Sequence, residues 1–338
     1  MPRLHDIPRI ALAHLPTPLE PAPRLTAALG GPAIWFKRDD CTGLASGGNK
    51  TRKLEFLLAE ARARNADTVI TFGALQSNHA RQTAAACARL GLGCELVLSR
   101  RVDYQGEAYE HAGNLLLDDL CGAHVHQVQP AESAGFAQAL RARLVAEGRH
   151  CYLIPAGGSN ATGALGYVAC AAELHEQSAV QGFQPTVVVH ATSSGGTQAG
   201  LVAGMARLRA AVPVLGINTY ERDPTVQRRH VLDLANAVLE RLQLPHVDAS
   251  AVQIEDAYLG RDYGVPTAAM QSAVRLVAST EGVLLDPVYS GKAMAGLIDL
   301  VQRGRFTAND QVVFLHTGGA AALDAYWPTF SAGSSTGD

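Results

Sequence analysis

The run Gly47-Gly48-Asn49-Lys50-Thr51-Arg52-Lys53-Leu54-Glu55 puts a lysine between an unobstructed glycine turn and the start of a helix. Leu54, Leu57, Leu58 and Ala61 recur at i, i+3, i+4 and i+7, the spacing of one helical face. Lys50 therefore falls in the first turn, among unpaired backbone N–H groups at the positive end of the dipole. That end disfavours a cation. A lysine placed there is either a solvated surface residue or an amine kept partly neutral for chemistry. A neutral amine is a nucleophile, and its characteristic partner is an aldehyde.

Four further stretches carry polar groups to the ends of apolar runs. Ser193-Ser194-Gly195-Gly196-Thr197 follows the β-branched run TVVVHA. Its glycines turn N–H groups inward, its hydroxyls add donors, and a helix start lies behind, so it reads as a phosphate cradle or as an ordinary tight turn. Gln76-Ser77-Asn78-His79 brings an amide, a hydroxyl and an imidazole to another helix start. Ser77 could serve there as a cap or, with its neighbours, as a carboxylate site. Asp286-Pro287-Val288-Tyr289-Ser290-Gly291-Lys292 could place a phenol in a site, and His316-Thr317-Gly318-Gly319 adds a hydroxyl with glycines that admit a flat ligand. A Walker lysine, a G-x-G-x-x-G and a C-x-x-C pair are missing, and the G-x-S-x-G string at 333–337 lies in the polar tail rather than after an apolar run, which disfavours nucleotide-binding, hydrolase and zinc readings.

The elements that must hold these loops alternate. Strands are expected at 33–37, 66–73, 93–99, 124–129, 151–155, 186–193, 212–218, 252–255, 283–285 and 311–316. Helices are expected from Lys50 onward and at 77–90, 107–120, 132–147, 163–176, 224–242, 266–281 and 291–303, with one more running from the Ser194 loop to Ala210. Residues 1–32 read as a proline-rich arm with one short helix, and 331–338 as a disordered tail. Strands alternating with helices indicate an α/β chain with largely parallel sheets, whose sites lie beyond the strands' carboxyl ends. Two lobes are the natural expectation for 338 residues.

Charge is nearly balanced, 28 Lys+Arg against 31 Asp+Glu, so nothing favours nucleic acid or an anionic membrane as partner. No apolar run nears the roughly 20 residues of a membrane span, and the N-terminus has no secretory apolar core. Six scattered cysteines read as reduced thiols of a cytoplasmic protein. The pair His124 and His126 reads as a strand face rather than a metal site, and Lys37-Arg38-Asp39-Asp40 as an ion-pair corner.

GGNKTRKLEF, QSNHARQTAA, SSGGTQAGL, DPVYSGKAMAGLIDL and FLHTGG, in this order along nearly the whole chain, closely resemble the D-cysteine desulfhydrase and 1-aminocyclopropane-1-carboxylate (ACC) deaminase family. These enzymes depend on pyridoxal 5′-phosphate (PLP) and share the tryptophan-synthase-β-like fold. KRDDCTGLASGGNKTRKLEF also resembles the L-cysteate sulfo-lyase branch. The resemblance implies a two-lobed molecule, with 1–52 and 167–330 as the larger, PLP-binding domain and 53–166 as the smaller. It implies Lys50 as the Schiff-base lysine and Asn78 at the ring O3′. Gln76, Ser77 and His79 would meet the substrate, while Ser194, Gly195, Gly196 and Thr197 would take the phosphate. Tyr289 and Tyr263 would face the reacting atoms, with Ser290 and Thr317 near the ring nitrogen. A homodimer is part of the same expectation.

The expected activity is β-elimination from a small sulfur amino acid, foremost D-cysteine. L-cysteate is the alternative and ACC a lesser one. ACC deaminases carry a glutamate where this chain has Ser290, and a hydroxyl there leaves the ring a weaker electron sink. Leu75, an apolar neighbour of the Ser77 loop, favours a thiol over a sulfonate. From another class, a non-catalytic PLP- or amino-acid-binding protein is opposed by the joint presence of Lys50, Ser77 and Tyr289.

Overall fold

A computed structural model describes residues 4–331 apart from 105. The expected tail 331–338 lies outside the described residues except for Ser331. The strands are β1 (Leu19–Pro21), β2 (Ala33–Arg38), β3 (Thr68–Ala74), β4 (Gly93–Ser99), β5 (His124–Val128), β6 (Cys151–Ile154), β7 (Val187–Thr192), β8 (Val214–Asn218), β9 (Gln253–Glu255) and β10 (Gln311–His316). The α-helices are α1 (Pro23–Leu29), α2 (Lys50–Ala63), α3 (Asn78–Leu90), α4 (Glu107–His111), α5 (Asn114–Leu120), α6 (Ser133–Ala146), α7 (Ala161–Val180), α8 (Gly196–Leu208), α9 (Pro224–Arg241), α10 (Ala268–Glu281), α11 (Ser290–Gln302) and α12 (Trp327–Ser331).

They build two sheets. One runs β5-β4-β3-β6, all parallel; the other runs β1-β2-β10-β7-β8-β9, parallel except for β1 against β2. The central strands are covered on two faces, which is why β3, β4, β7, β8 and β10 read as largely apolar runs, whereas the edge strands β5 (HVHQV) and β9 (QIE) are partly exposed and alternate with polar residues. In β3 and β4, Val69, Leu96 and Leu98 pack with α2, α3 and α5, while Ile70 and Val97 pack with α6. In β7 and β10, Val187, Val189, Val312 and Phe314 face α10 and α11, while Val188, Val313 and Leu315 face α7 and α8. Among the described residues no helix is long and apolar enough to cross a membrane.

Several elements differ from the sequence reading, among them the short helix α12, which is absent from the expected elements. Val283–Leu285 forms no ladder: Val283 and Leu285 fill the core while Leu284 is exposed, so the alternation is that of an extended segment without a partner. The helix expected over 107–120 breaks into α4 and α5 at Gly113, whose φ is 62°. β1 is an additional strand, hidden by its three-residue length and its proline.

The charged corner is a buried ion network. Asp39 accepts from Arg52 Nε at 2.8 Å and Nη2 at 2.9 Å, from Thr17 Oγ1 at 2.9 Å and from the Tyr167 hydroxyl at 2.5 Å. Glu173 accepts from both Arg52 and Lys37. Two cations and two anions thus balance, and they fasten the first turn of α2 to β2 and α7. His124 and His126 flank Glu95 across the β4–β5 register, an arrangement that needs no metal.

Candidate active site

The carboxyl ends of β3, β4 and β6 face those of β7, β8 and β10 across a cavity of about 350 Å³. Lys50, Ser77, Asn78, His79, Ser194, Gly195, Thr197, Tyr263, Tyr289 and Thr317 all line it.

Lys50 is the first residue of α2, behind Asn49 as N-cap, and its Nζ donates to Asn49 Oδ1 at 2.8 Å. The ammonium also lies 5.7 Å from the centre of the Tyr289 ring. Burial, reinforced by the charge of Arg81 and opposed by Asp286, brings the Lys50 amine down from 10.5 to about 8. A substantial fraction is therefore neutral near physiological pH. Labelling of Lys50 by an amine-specific reagent in the cofactor-free chain should be half-maximal near pH 8, read by mass spectrometry of its peptide. A midpoint above pH 10 would return Lys50 to the class of solvated surface lysines.

α8 starts at Gly196, with Gly195 at φ 78°, so its free N–H groups open towards the cavity. A second glycine loop, 156–160, meets it: Ser159 Oγ donates to Ser194 Oγ at 2.8 Å and accepts from Gly196 N at 3.2 Å. Close approach requires the glycines. A Cβ on Gly196 would lie 2.6 Å from Ser159 Oγ and 2.9 Å from Lys53 Nζ. Asn49 Nδ2 donates to Thr197 Oγ1 at 3.0 Å, joining the cradle to the lysine loop.

Lys53 is the member that sequence reasoning passed over. It is buried, and its Nζ donates to the Gly157 carbonyl at 3.0 Å and to Ser159 Oγ at 3.1 Å. Among the described residues no carboxylate pairs with it. Burial and the neighbouring Lys50 hold its pKa well below the ordinary lysine value. A buried amine without a carboxylate partner, beside two hydroxyls and a helix N-terminus, is a donor set suited to a dianion such as a phosphate, whose charge would favour the ammonium form. Its only sequence signal was the three-residue step from Lys50, which places both on one side of α2.

Ser77 caps α3, accepting from Ala80 N at 3.2 Å. Asn78 Oδ1 is buried without a partner. Thr71 gives its hydroxyl proton to the Ile154 carbonyl, so His79 Nε2 donates to Thr71 Oγ1, 2.8 Å away, and Nδ1 is a bare acceptor. Burial, then Lys50 and Lys53, keep the His79 imidazole neutral.

Two expected contacts are not formed. The Gln76 side chain turns away from the cavity, donating to the carbonyls of Tyr109 and Ala112 and accepting from Asn114 N. It fastens the break between α4 and α5, leaving only its backbone near Ser77. Ser290 Oγ donates to Asp286 Oδ1 at 2.6 Å and accepts from Asp286 N at 2.8 Å, so its hydroxyl is spent inside its own turn. The Asp286 carboxylate, buried and accepting from the backbone N–H groups of Val288, Tyr289 and Ser290, is the anion on this side of the cavity. Gly196 sits in the cradle's backbone rather than on the cavity wall.

Tyr263 and Tyr289 hydrogen-bond to each other through their hydroxyls. Burial raises both phenols above their usual range, so both stay protonated at neutral pH. Leu75 is packed in the core of the four-stranded sheet and does not border the cavity, so it has no part in choosing a leaving group. At the mouth stands a cation instead: Arg101 Nη1, from the loop after β4, donates to the Tyr220 hydroxyl after β8 at 3.2 Å.

Comparison with known proteins agrees with this geometry. The family model described as pyridoxal-phosphate dependent enzyme matches residues 10–318. The chain is 46% identical to a D-cysteine desulfhydrase of Salmonella choleraesuis (strain SC-B67) over 327 residues, 96% of this chain and 98% of that one. A D-cysteine desulfhydrase of Salmonella paratyphi C (strain RKS4594) shows the same identity and coverage. Among solved structures, an ACC deaminase homologue superposes with a TM-score of 0.88 at 35% identity, covering 97% of both chains. A T.th. threonine deaminase shares the fold, with a TM-score of 0.61 at 21% identity over 90% of this chain and 92% of that one.

Proposed function

The chain belongs to the pyridoxal-phosphate-dependent enzymes, and from that premise we propose that it is a D-cysteine desulfhydrase, converting D-cysteine and water to pyruvate, ammonia and hydrogen sulfide. The observation that carries this reading is 46% identity, over nearly the full length of both chains, to enzymes of that name. Lys50 in its cavity fits the same reading.

The site suits PLP. Asn78 Oδ1 is an unpartnered buried acceptor, Lys53 is a buried amine without a carboxylate partner among the described residues, and the Ser194–Thr197 cradle opens a helix N-terminus. Lys50 would hold the cofactor covalently. Ser194, Gly195, Gly196, Thr197 and Lys53 would hold its phosphate, with Asn78 and Thr317 beside the ring. When bound, PLP supplies an electron sink for negative charge at the substrate α-carbon.

The protein does the rest. The N-terminus of α3, capped by Ser77, presents N–H groups and a positive dipole end to the substrate carboxylate. The Lys50 amine, once free, removes the α-proton. It is the cavity's base because both phenols stay protonated, His79 is fixed through Nε2 to Thr71, and His230 stands against the Ser194 carbonyl at the cradle. Tyr289 and Tyr263 share one hydrogen bond and have two protons, so one remains to meet the departing sulfur.

Removing one cradle donor should weaken cofactor retention without unfolding the chain. A hydrogen bond to a charged group is worth about 1.5–3 kcal/mol, so Thr197→Ala should lose about one to two decades of PLP affinity by equilibrium dialysis. Lys53→Met should lose at least as much, with a weaker dependence on salt. Unchanged affinity in both would sink the cradle assignment.

Elimination of sulfite from L-cysteate is the second reading, favoured by Arg101, whose cation at the cavity mouth suits a sulfonate. One preparation offered D-cysteine, L-cysteine, L-cysteate and ACC, with pyruvate, 2-oxobutyrate, sulfide and sulfite followed, tests both. Sulfide from D-cysteine should dominate; a preference for L-cysteate would transfer the assignment to Arg101's substrate.

The reading extends to two lobes, 1–52 with 167–330 and 53–166. It is supported by the two separate sheets, although these cuts pass through α2 and α7. It extends also to a cytoplasmic homodimer. Six free cysteines support the compartment, and light scattering tests the dimer.

A further inference from the structure

We propose that Arg81 is a positioning residue for Lys50, holding the strained loop that delivers this lysine to the cavity. The proposal rests on the reading of Lys50 as the cofactor's lysine. Arg81 lies on α3, one turn beyond the Ser77 cap, and is completely buried. Its Nη1 donates to the carbonyl of Ala45 and its Nη2 to that of Gly47, each at 2.8 Å.

The segment gripped in this way is unusual. Ala45, Ser46, Gly47 and Gly48 have φ values of 43°, 69°, 72° and 133°, four positive in succession, and two of these residues carry a Cβ. Such a path persists only where its surroundings over-determine it. Gly47 has no alternative residue: a Cβ there would lie 1.8 Å from the carbonyl oxygen of Asp40. The segment ends at Asn49, the cap of α2, so its path sets where the helix starts and where Lys50 stands.

The residue after Arg81 completes the attachment. Gln82 Oε1 accepts from the backbone N and the hydroxyl of Thr51, each at 3.0 Å, and its Nε2 donates to the Asn78 carbonyl at 2.8 Å. Two successive residues of α3 therefore tie down the approach to α2 and its first turn. Lys50 is fixed in the frame of the helix whose N-terminus carries Ser77 and Asn78. The planar guanidinium is suited to this task, since it reaches two carbonyls at once with a fixed spacing that an ammonium does not reproduce. Asp118, buried on α5, is the carboxylate whose charge acts on Arg81, without a hydrogen bond between them.

The test is Arg81→Lys in the full-length chain, with three readouts: hydrogen exchange of amides 44–49, borohydride trapping of PLP on Lys50, and the pH midpoint of Lys50 labelling in the cofactor-free chain. With the fold intact by circular dichroism, amides 44–49 should exchange about tenfold faster or more. Trapping should slow, and the labelling midpoint should rise from about 8 as the amine gains solvent. Adding Ala45→Gly, which relieves one positive-φ residue, should restore part of the protection. Wild-type exchange at 44–49 in folded Arg81→Lys would overturn the proposal, as would faster exchange with trapping and midpoint unchanged. Should the variant not fold, the wild-type protein still decides. The N–H groups of Gly47, Gly48 and Asn49 donate to the Leu44 carbonyl, the Thr42 hydroxyl and the Thr317 carbonyl, so a clamped loop must be protected like the body of α3. Exchange there at the rate of an open loop would overturn the proposal. If Lys50 is not the cofactor's lysine, trapping fails on the wild-type protein before any variant is made.

Discussion

Replacing Lys50 by alanine should lower pyruvate formation by about 10³- to 10⁴-fold, in the range expected when a positioned acid–base group is removed. The fold should survive, because the Lys50 amine makes one hydrogen bond, to the adjacent Asn49, and holds no distant element. The loss should be large because nothing nearby can take over. Lys53 is tethered to Gly157 and Ser159 at the cradle, and His79 spends one nitrogen on Thr71 and buries the other. Borohydride should fix PLP to the Lys50 peptide in the wild-type protein and to no peptide in the variant. Recovery of the cofactor on Lys53 would show that the cavity's two lysines have been assigned the wrong way round. Activity within tenfold of wild type would remove Lys50 from the chemistry altogether.

The second large effect concerns stability. Asp39→Asn should destabilise the fold by about 3–5 kcal/mol, the cost of leaving a buried partner charge uncompensated. Arg52 would keep Glu173 but lose the charge of Asp39 and one of its two bonds there, with an amide NH2 donor set against the guanidinium, and the hydroxyls of Thr17 and Tyr167 would lose an anionic acceptor. Burial alone would raise the Asp39 pKa, but Arg52, Lys37 and Tyr167 together hold it below the ordinary carboxylate value. A carboxyl depressed in the folded state stabilises above its unfolded pKa, and that stability is lost as pH falls through the folded pKa. Urea melts should therefore show the two proteins furthest apart at neutral pH and converging in strong acid. A difference below about 1 kcal/mol at neutral pH would mean that the network relaxes around the amide.

Much of the fold and of the site is legible in the sequence. Strands buried on both faces are continuous apolar runs, and nearly all of those runs are strands. The loops chosen for chemistry converge because parallel strands deliver their carboxyl-end loops to one side. What stayed hidden depends on partners distant in sequence. Arg52, Lys53 and Glu55 look like the solvated side of an amphipathic helix, yet all three are buried. Their partners are Asp39 and Glu173 for Arg52, the glycine loop at 157 for Lys53, and the backbone of Leu12 and Ala13 for Glu55. Ser290 looked like a free hydroxyl because its sequence does not reveal that Asp286 turns back to claim it. Val283–Leu285 has the composition of a strand but no neighbouring edge to pair with.

The position of β10 has a consequence for how the chain is made. It lies between β2 and β7 and comes after every other strand of this sheet in chain order. Until residues 311–316 emerge from the ribosome, β1–β2 and β7–β8–β9 are two fragments with no direct pairing between them. The four-stranded sheet uses only residues 68–154, an uninterrupted stretch, and can close while the remainder is still being translated. A nascent chain therefore carries one finished sheet and two open apolar strand edges, β2 and β7, each available for pairing with a neighbouring chain. Its greatest demand for a chaperone falls in the interval between the emergence of β9 and the arrival of β10.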